Sequence, residues 1–350
     1  MDSRRTVVKR TFPIRALIYA ACALLLPNAV ASAQTAQVIT VDAKRAKEEA
    51  AVNQQLKDLV KKRRTRKGWL GDGTVPANVR VVKDVTYVEK TVSASQKLDL
   101  YIPTSTSKGS WPLVVWIHGG GWKGGDKKGG PFYPLLENGF AVASINYRLS
   151  DESKWPAQFD DCQSALAFLR KHAAEYNIDT KRMGLWGGSA GGHLVLMLAL
   201  RDKNPSDKLL AVCDWFGPTD LSRFMLMGET TKMGEDLIRD LFGLQGEALI
   251  AACPSASPVT YIASAKYVPP ILIMHGRSDR LVSIRQSQYF MEKMKEAGFN
   301  DVRLDEINGA HGYPGFGEST VNNVVKFFKQ RMLTNASLKK TTQREHKSHK

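Results

Sequence analysis

Five residues, Gly187-Gly188-Ser189-Ala190-Gly191, constrain this chain more than any other feature, because of what stands on either side of them. Residues 182–186 (RMGLW) before them are short and mostly apolar, as a buried strand is. Residues 193–201 (HLVLMLALR) after them have the composition of a helix. Gly-x-Ser-x-Gly between a strand and a helix implies a sharp turn that lifts the serine hydroxyl clear of the sheet edge. A β-carbon at either flanking glycine would crowd so tight a turn. The helix behind Ser189 aims its free N–H groups and the positive end of its dipole at the space above the hydroxyl. Without this context the same residues would be a glycine-rich turn with an N-capping serine. With it, Ser189 is a candidate nucleophile.

The rest of the middle of the chain alternates in type. Residues 113–118, 141–147, 210–216 and 271–275 are further short apolar runs rich in Val, Ile or aromatics and bounded by Gly, Pro or Asp. Strands buried on both faces read this way. Helical patterns lie between them at 156–176, 189–201, 284–297 and 320–332, and in the first of these Ala165, Leu166 and Leu169 recur at core spacing. Alternation of this kind predicts an α/β fold with a mostly parallel, twisted sheet, helices on both faces and sites at the C-terminal ends of the strands. Residues 79–87 and 96–102 read as an opening antiparallel pair, and 302–307 as a last strand. The stretch 215–258, bearing Met and Gly between two strands, is the natural place for a small cap-like insertion.

A nucleophilic serine needs an oxyanion site, a base and an orienting acid. His118-Gly119-Gly120-Gly121-Trp122 follows the run 113–117 directly. Three glycines let backbone N–H groups face a substrate oxygen, so the expected oxyanion hole is Gly120, Gly121 and Ala190. The loop lacks Gly-Lys-Ser/Thr and a Gly-x-Gly-x-x-Gly leading into a helix, which sets phosphate binding aside. His118 reads as a residue that orients the loop by hydrogen bonding. Of the seven histidines, His346 and His349 are in the tail, His172 is on a polar helix face, His193 is inside the helix after Ser189, and His275 ends a core strand as a satisfied core histidine. His311 stands in a glycine-bearing loop after 302–307, where a base is expected. Asp279, in His275-Gly276-Arg277-Ser278-Asp279, is the acid candidate, and Asp214 at a strand end is the runner-up. The order Ser189, Asp279, His311 is the nucleophile, acid, base order of α/β-hydrolases. Trp122, Tyr147, Trp215 and Phe216 are candidates for lining a substrate pocket, with core packing as the alternative.

Taken together, 118–122, 187–192 (GGSAGG), 274–279 (MHGRSD) and His311 resemble the α/β-hydrolase superfamily. The nearest branch holds acetylxylan-esterase-like, feruloyl-esterase-like and hormone-sensitive-lipase-like enzymes. The resemblance runs from about Val82 to Met332 and takes in 98–103 (LDLYIP), 146–149 (NYRL) and 215–220 (WFGPTD). Gly188 stands where the lipase-like branch has an acid, which tilts the likeness to the carbohydrate-esterase side; Ser283 stands where relatives often carry Pro. The resemblance implies an α/β-hydrolase fold and a serine esterase acting on acetyl or feruloyl esters of small molecules or carbohydrates, with no cofactor and no metal. The alternatives are a serine peptidase or amidase on the same fold, and a non-catalytic binding module.

The chain has 350 residues and a net charge of +16, a value that invites nucleic acid as a partner. The charge sits at the ends: residues 1–33 carry +4, residues 34–68 carry +6 and residues 331–350 carry +5, which leaves +1 for 69–330. No nucleic-acid partner is therefore expected. Residues 1–33 read as a signal peptide, with a basic start, the apolar run 16–26, Pro27 and the Ala31-Ser32-Ala33 cleavage pattern. Export to the periplasm or beyond is expected, with no transmembrane anchor left after cleavage. Residues 34–78 read as a basic helical or linker segment, 79–332 as the catalytic domain and 333–350 as a basic, disordered tail. The basic flanks could give weak association with an anionic surface. Beyond the signal, Cys162, Cys213 and Cys253 read as buried structural cysteines, too few for a disulfide scaffold.

Overall fold

The computed structural model describes residues 75–333, apart from 91, 105–108, 202–207 and 313–314. The signal segment, the basic helix within 34–78 and nearly all of the basic tail lie outside the described residues.

Eight strands form one sheet. They are β1 (Val79–Thr86), β2 (Lys97–Pro103), β3 (Trp111–Ile117), β4 (Ala141–Ile145), β5 (Ile178–Gly188), β6 (Ala211–Trp215), β7 (Ile271–Gly276) and β8 (Val302–Ile307). Their spatial order is β1-β2-β4-β3-β5-β6-β7-β8. The β1–β2 and β2–β4 pairs are antiparallel, and every pair from β4 to β8 is parallel. The opening antiparallel pair and the parallel core are thus as the sequence predicts. β5 is longer than expected: it starts at Ile178, not Arg182, because Ile178 and Asp179 pair with Trp111 and Pro112 before a register break, after which pairing resumes at Met183 against Leu113.

Among the described residues eight α-helices complete the layers: α1 (Tyr133–Glu137), α2 (Ala157–Lys171), α3 (Ala190–Arg201), α4 (Leu221–Leu226), α5 (Lys232–Phe242), α6 (Gly246–Ala252), α7 (Arg285–Glu296) and α8 (Glu318–Phe328). Strand alternation sorts the core into two faces. Leu113, Val115 and Ile117 of β3, with Ile271 and Ile273 of β7, pack with α2, α3 and α7. Val114 and Trp116 of β3, with Leu272 and Met274 of β7, pack with α1 and α8. β3, β4, β6 and β7 are buried on both faces, which is why their sequences read as unbroken apolar runs. α3 is buried all round from Ala190 to Leu200, so it is apolar on every side.

The segment between β6 and β7 carries α4, α5 and α6 over the C-terminal end of the sheet, the expected cap-like insertion. Among the described residues no helix is long and apolar enough to cross a membrane. Cys162, Cys213 and Cys253 are buried and unpaired.

Candidate active site

Ser189 stands at the junction of β5 and α3 with φ +56°, a left-handed conformation that a side chain adopts only in a forced turn. The turn is forced by close packing on both sides. A β-carbon at Gly187 would lie 2.3 Å from Gly191 O, and one at Gly191 would lie 2.0 Å from Ile117 O. The Ser189 N–H donates to Trp215 O at 2.7 Å, and Ser189 O accepts from the His193 N–H at 2.9 Å. Ala190, the first residue of α3, carries one of the N–H groups that have no acceptor within the helix.

The structure brings Ser189, His311 and Asp279 into one line. His311 Nε2 is 2.9 Å from Ser189 Oγ, and His311 Nδ1 is 2.7 Å from Asp279 Oδ2. Asp279 follows β7 and His311 follows β8, so neighbouring strand ends deliver both groups to the same side of the serine. Asp279 Oδ1 accepts the N–H groups of Leu281 and Val282 at 3.0 and 2.9 Å. Burial would raise the Asp279 carboxyl. The charge of His311 and hydrogen bonds from His275 and His311 overcome it and hold the carboxyl well below its usual range. An ionised Asp279 fixes the proton of His311 on Nδ1 and leaves the Nε2 lone pair facing the Ser189 hydroxyl, an assignment made from the hydrogen-bond network.

His275 is a buried, satisfied histidine as expected, with Nδ1 2.7 Å from Ser287 Oγ and Nε2 2.8 Å from Val282 O. The sequence did not disclose its further contact, Nε2 3.3 Å from Asp279 Oδ2. The His275-to-Asp279 spacing was the available signal. Asp214, the runner-up acid, is buried beneath the turn after β6. Its Oδ1 accepts the Gly217 N–H at 2.9 Å, and its Oδ2 has no partner. Burial pushes it up to about 7 against the pull of the Gly217 hydrogen bond and the His275 charge.

The glycine loop after β3 turns back on itself, with Gly120 O accepting the N–H groups of Lys123 and Gly124 at 3.2 and 3.0 Å. Gly120 and Gly121 have φ +122° and +62°. Gly121 lines the same small cavity as Ser189. His118 Nδ1 lies 2.8 Å from Gly119 O, within the loop it was expected to orient.

The four aromatic candidates separate. Trp122 lines the cavity, and its indole N–H donates to Nδ1 of the buried His193 at 3.2 Å. Burial pushes His193 down to about 4, so it stays neutral and able to accept this bond. Phe216 packs its ring against His311, 4.6 Å between centroids, and is not on the cavity wall. Tyr147 and Trp215 belong to the core. Tyr147 is fully buried, stacks on His118 at 4.4 Å and donates its hydroxyl to His118 O, so it supports the glycine loop from below. Trp215 is wedged edge-on between Trp186 and Phe316, and what it gives the site is the carbonyl that holds Ser189. Their aromatic content could not distinguish these fates, and all four are buried; what each touches does.

The cavity wall also includes residues that sequence reasoning missed, Phe224 on α4 and Leu237 on α5 among them. Among the described residues, no cluster of three His, Cys, Asp or Glu side chains is placed to hold a metal ion.

Comparison with known proteins gives the family. The chain is 30% identical over 239 residues to "Probable carboxylic ester hydrolase LipM" of Mycobacterium tuberculosis, covering 64% of this chain and 54% of that protein. It is 30% identical over 215 residues to "Esterase LipQ" of the same organism, covering 57% of this chain and 49% of that one. The chain thus spans about half the length of these curated relatives. Among solved structures, "Truncated form of carbohydrate esterase from gut microbiota" matches with a TM-score of 0.65 and 26% identity, covering 75% of this chain and 100% of that one. The BD-FAE family model matches residues 98–294, a span that contains Ser189 and Asp279 and stops short of His311. With this match across more than half of its length and the eight-stranded, mostly parallel sheet, the chain belongs to the BD-FAE family of α/β-hydrolases.

Proposed function

We propose that the chain is a carboxylic ester hydrolase that works through Ser189, His311 and Asp279. The observation that carries this reading is the unbroken hydrogen-bonded line from Ser189 Oγ to His311 to Asp279, at 2.9 and 2.7 Å. The names of the relatives, carboxylic ester hydrolase and esterase, support it.

In this reading Ser189 Oγ attacks the ester carbonyl while its proton passes to His311 Nε2. The carbonyl oxygen becomes an oxyanion, held by the amides of Gly120, Gly121 and Ala190; losing one such donor typically costs about 10²–10³ in rate. The Asp279 carboxylate stabilises the imidazolium at Nδ1. His311 then gives its proton to the leaving alcohol oxygen as the carbon–oxygen bond breaks. Water, deprotonated by His311, attacks the acyl-serine; the acid leaves and the proton returns to Ser189. One ester and one water become one acid and one alcohol.

Acetyl or feruloyl esters with a carbohydrate-like alcohol are the proposed substrates. A carbohydrate esterase among the structural neighbours supports this class. The test is hydrolysis of 4-nitrophenyl acetate by the full chain and by Ser189→Ala. The variant should lose at least about 10³-fold in kcat/KM. Equal rates would overturn the reading, and faster turnover of peptide amides than of esters would favour a peptidase.

A further inference from the structure

We propose that Leu237 makes this site selective for two-carbon acyl groups, so that its substrates are acetyl esters and not feruloyl or longer acyl esters. The proposal rests on the esterase reading above and narrows it to one acyl class.

The cavity beside Ser189 is the acyl side of the site. The leaving alcohol oxygen must sit by His311 Nε2, the group that protonates it. The cavity opens off Ser189 between Gly121 and Trp122 on one side and Leu281 and Val282 on another, and His311 is not part of its wall. The group that remains on Ser189 after the alcohol departs is therefore the one that faces this cavity.

It is lined by Gly121, Trp122, Pro218, Phe224, Leu237 and Val282 among others, so the surface offered to the acyl chain is almost wholly apolar. Its volume is about 20 Å³, where one water needs about 10–15 Å³. A methyl group is about the size of a water molecule. The cavity takes the methyl of an acetyl group; it is partly open to solvent, so a propyl chain or a phenylpropenoyl group would have to run out past its apolar walls.

Leu237 sets that limit. Its side chain lies directly against the glycine loop: a β-carbon at Gly121 would be 2.5 Å from Leu237 Cδ1 and 2.8 Å from Cδ2. It is also held there from both ends of α5. At the start, Thr231 caps the helix, and the Thr230 hydroxyl donates to Leu281 O at 2.7 Å. At the end, Leu241 O accepts the Trp155 N–H at 2.9 Å, and Lys154 Nζ donates to Asp240 O at 2.8 Å. Ile238 and Leu241 on the same helix are fully buried. Leu237 itself is half-buried, so its truncation opens the cavity without removing a core side chain.

The experiment measures kcat/KM of the full chain for the acetate, butyrate and hexanoate esters of 4-nitrophenol, and for methyl ferulate. Leu237→Ala and the milder Leu237→Val follow the same series, with melting temperatures to verify folding. Wild type should favour acetate over butyrate by at least about tenfold, the order expected for surplus methylenes at a small apolar pocket. Leu237→Ala should shrink that ratio by about tenfold, and Leu237→Val should shrink it less. The valine series carries the test if the alanine variant is unstable. Wild-type turnover of butyrate, hexanoate or methyl ferulate at the acetate rate would overturn the size limit and leave the esterase reading standing. A ratio unmoved in both variants would overturn the role of Leu237. Failure to hydrolyse any ester would remove the esterase reading and the selectivity with it.

Discussion

Two aspartates of this site are buried alike and behave in opposite ways, and the difference lies in their partners. Asp279 accepts two backbone N–H groups on one oxygen and faces two imidazoles on the other, so it stays ionised despite burial. Asp214 has one N–H partner and an oxygen with none, so burial wins and its carboxyl rises to about 7. A carboxyl largely neutral below pH 7 could not steady a positive imidazolium, which disfavours Asp214 as the acid independently of chain order. It also predicts a pH effect on stability. Unfolded, Asp214 titrates near 3.8; folded, near 7. Between these values the folded chain holds a proton that the unfolded chain has lost. This group's contribution is therefore full below about pH 4 and fades as pH rises to about 7. Asp214→Asn keeps an oxygen for the Gly217 N–H and cannot ionise. Relative to wild type, the variant should gain stability between pH 4 and pH 8, on the order of 4 kcal/mol across the range, and stay level above it. Denaturant melts of both proteins at several pH values check this, and a constant difference across the range would refute it.

At the scale of elements, the cap is tied to α7 by a small, largely buried polar network. Glu229, 3% exposed between α4 and α5, accepts from Arg223 Nη2 with one oxygen and from Gln286 Nε2 with the other, both at 2.6 Å. Gln286, at the start of α7, returns its oxygen to the N–H groups of Thr219 and Asp220 at the root of the cap. Glu229→Ala would leave the buried Gln286 amide without its acceptor, at a cost of about 1–3 kcal/mol. The expected outcome is a melting temperature lower by several degrees, with Glu229→Gln restoring part of it; an unchanged melt would mean that the network is not what holds the cap. None of this was legible in the sequence, because Glu229, Gln286 and Leu237 gain their roles only when chain segments far apart in sequence meet. Ser189 was legible because its constraint is local: strand, glycine turn and helix are contiguous. Asp279 and His311 were legible through their order and strand-end positions. The parallel strands were legible because burial on both faces leaves unbroken apolar runs. Whether Tyr147 and Trp215 line the pocket or pack in the core was left open by the sequence for the converse reason: an aromatic near the motif carries no mark of which way it faces.

At the scale of the whole molecule, charge and chemistry separate along the chain. Residues 69–330 are near neutrality, and the basic excess lies in 1–68 and 331–350. Among the described residues, the strand ends, glycine loop and cap that build the site lie between Trp111 and Ile307, with His311 just beyond. For the uncharged esters proposed above as substrates, a nearly neutral domain has little to gain from a positive field. We propose that the basic flanks act instead on anionic surfaces; such an attraction weakens as the screening length falls from about 10 Å at 0.1 M salt to about 3 Å at 1 M. The full chain and a chain of residues 69–333 should therefore hydrolyse 4-nitrophenyl acetate within about twofold of each other at low and high salt, a surface effect being screened and the chemistry not. On vesicles rich in phosphatidylglycerol, the full chain should bind at low salt and release at high salt, and the short chain should not bind at either. Equal binding by both chains would place the contact on the folded part. Loss of turnover in the short chain alone would mean that the flanks support the site, and the separation of charge from chemistry would fail.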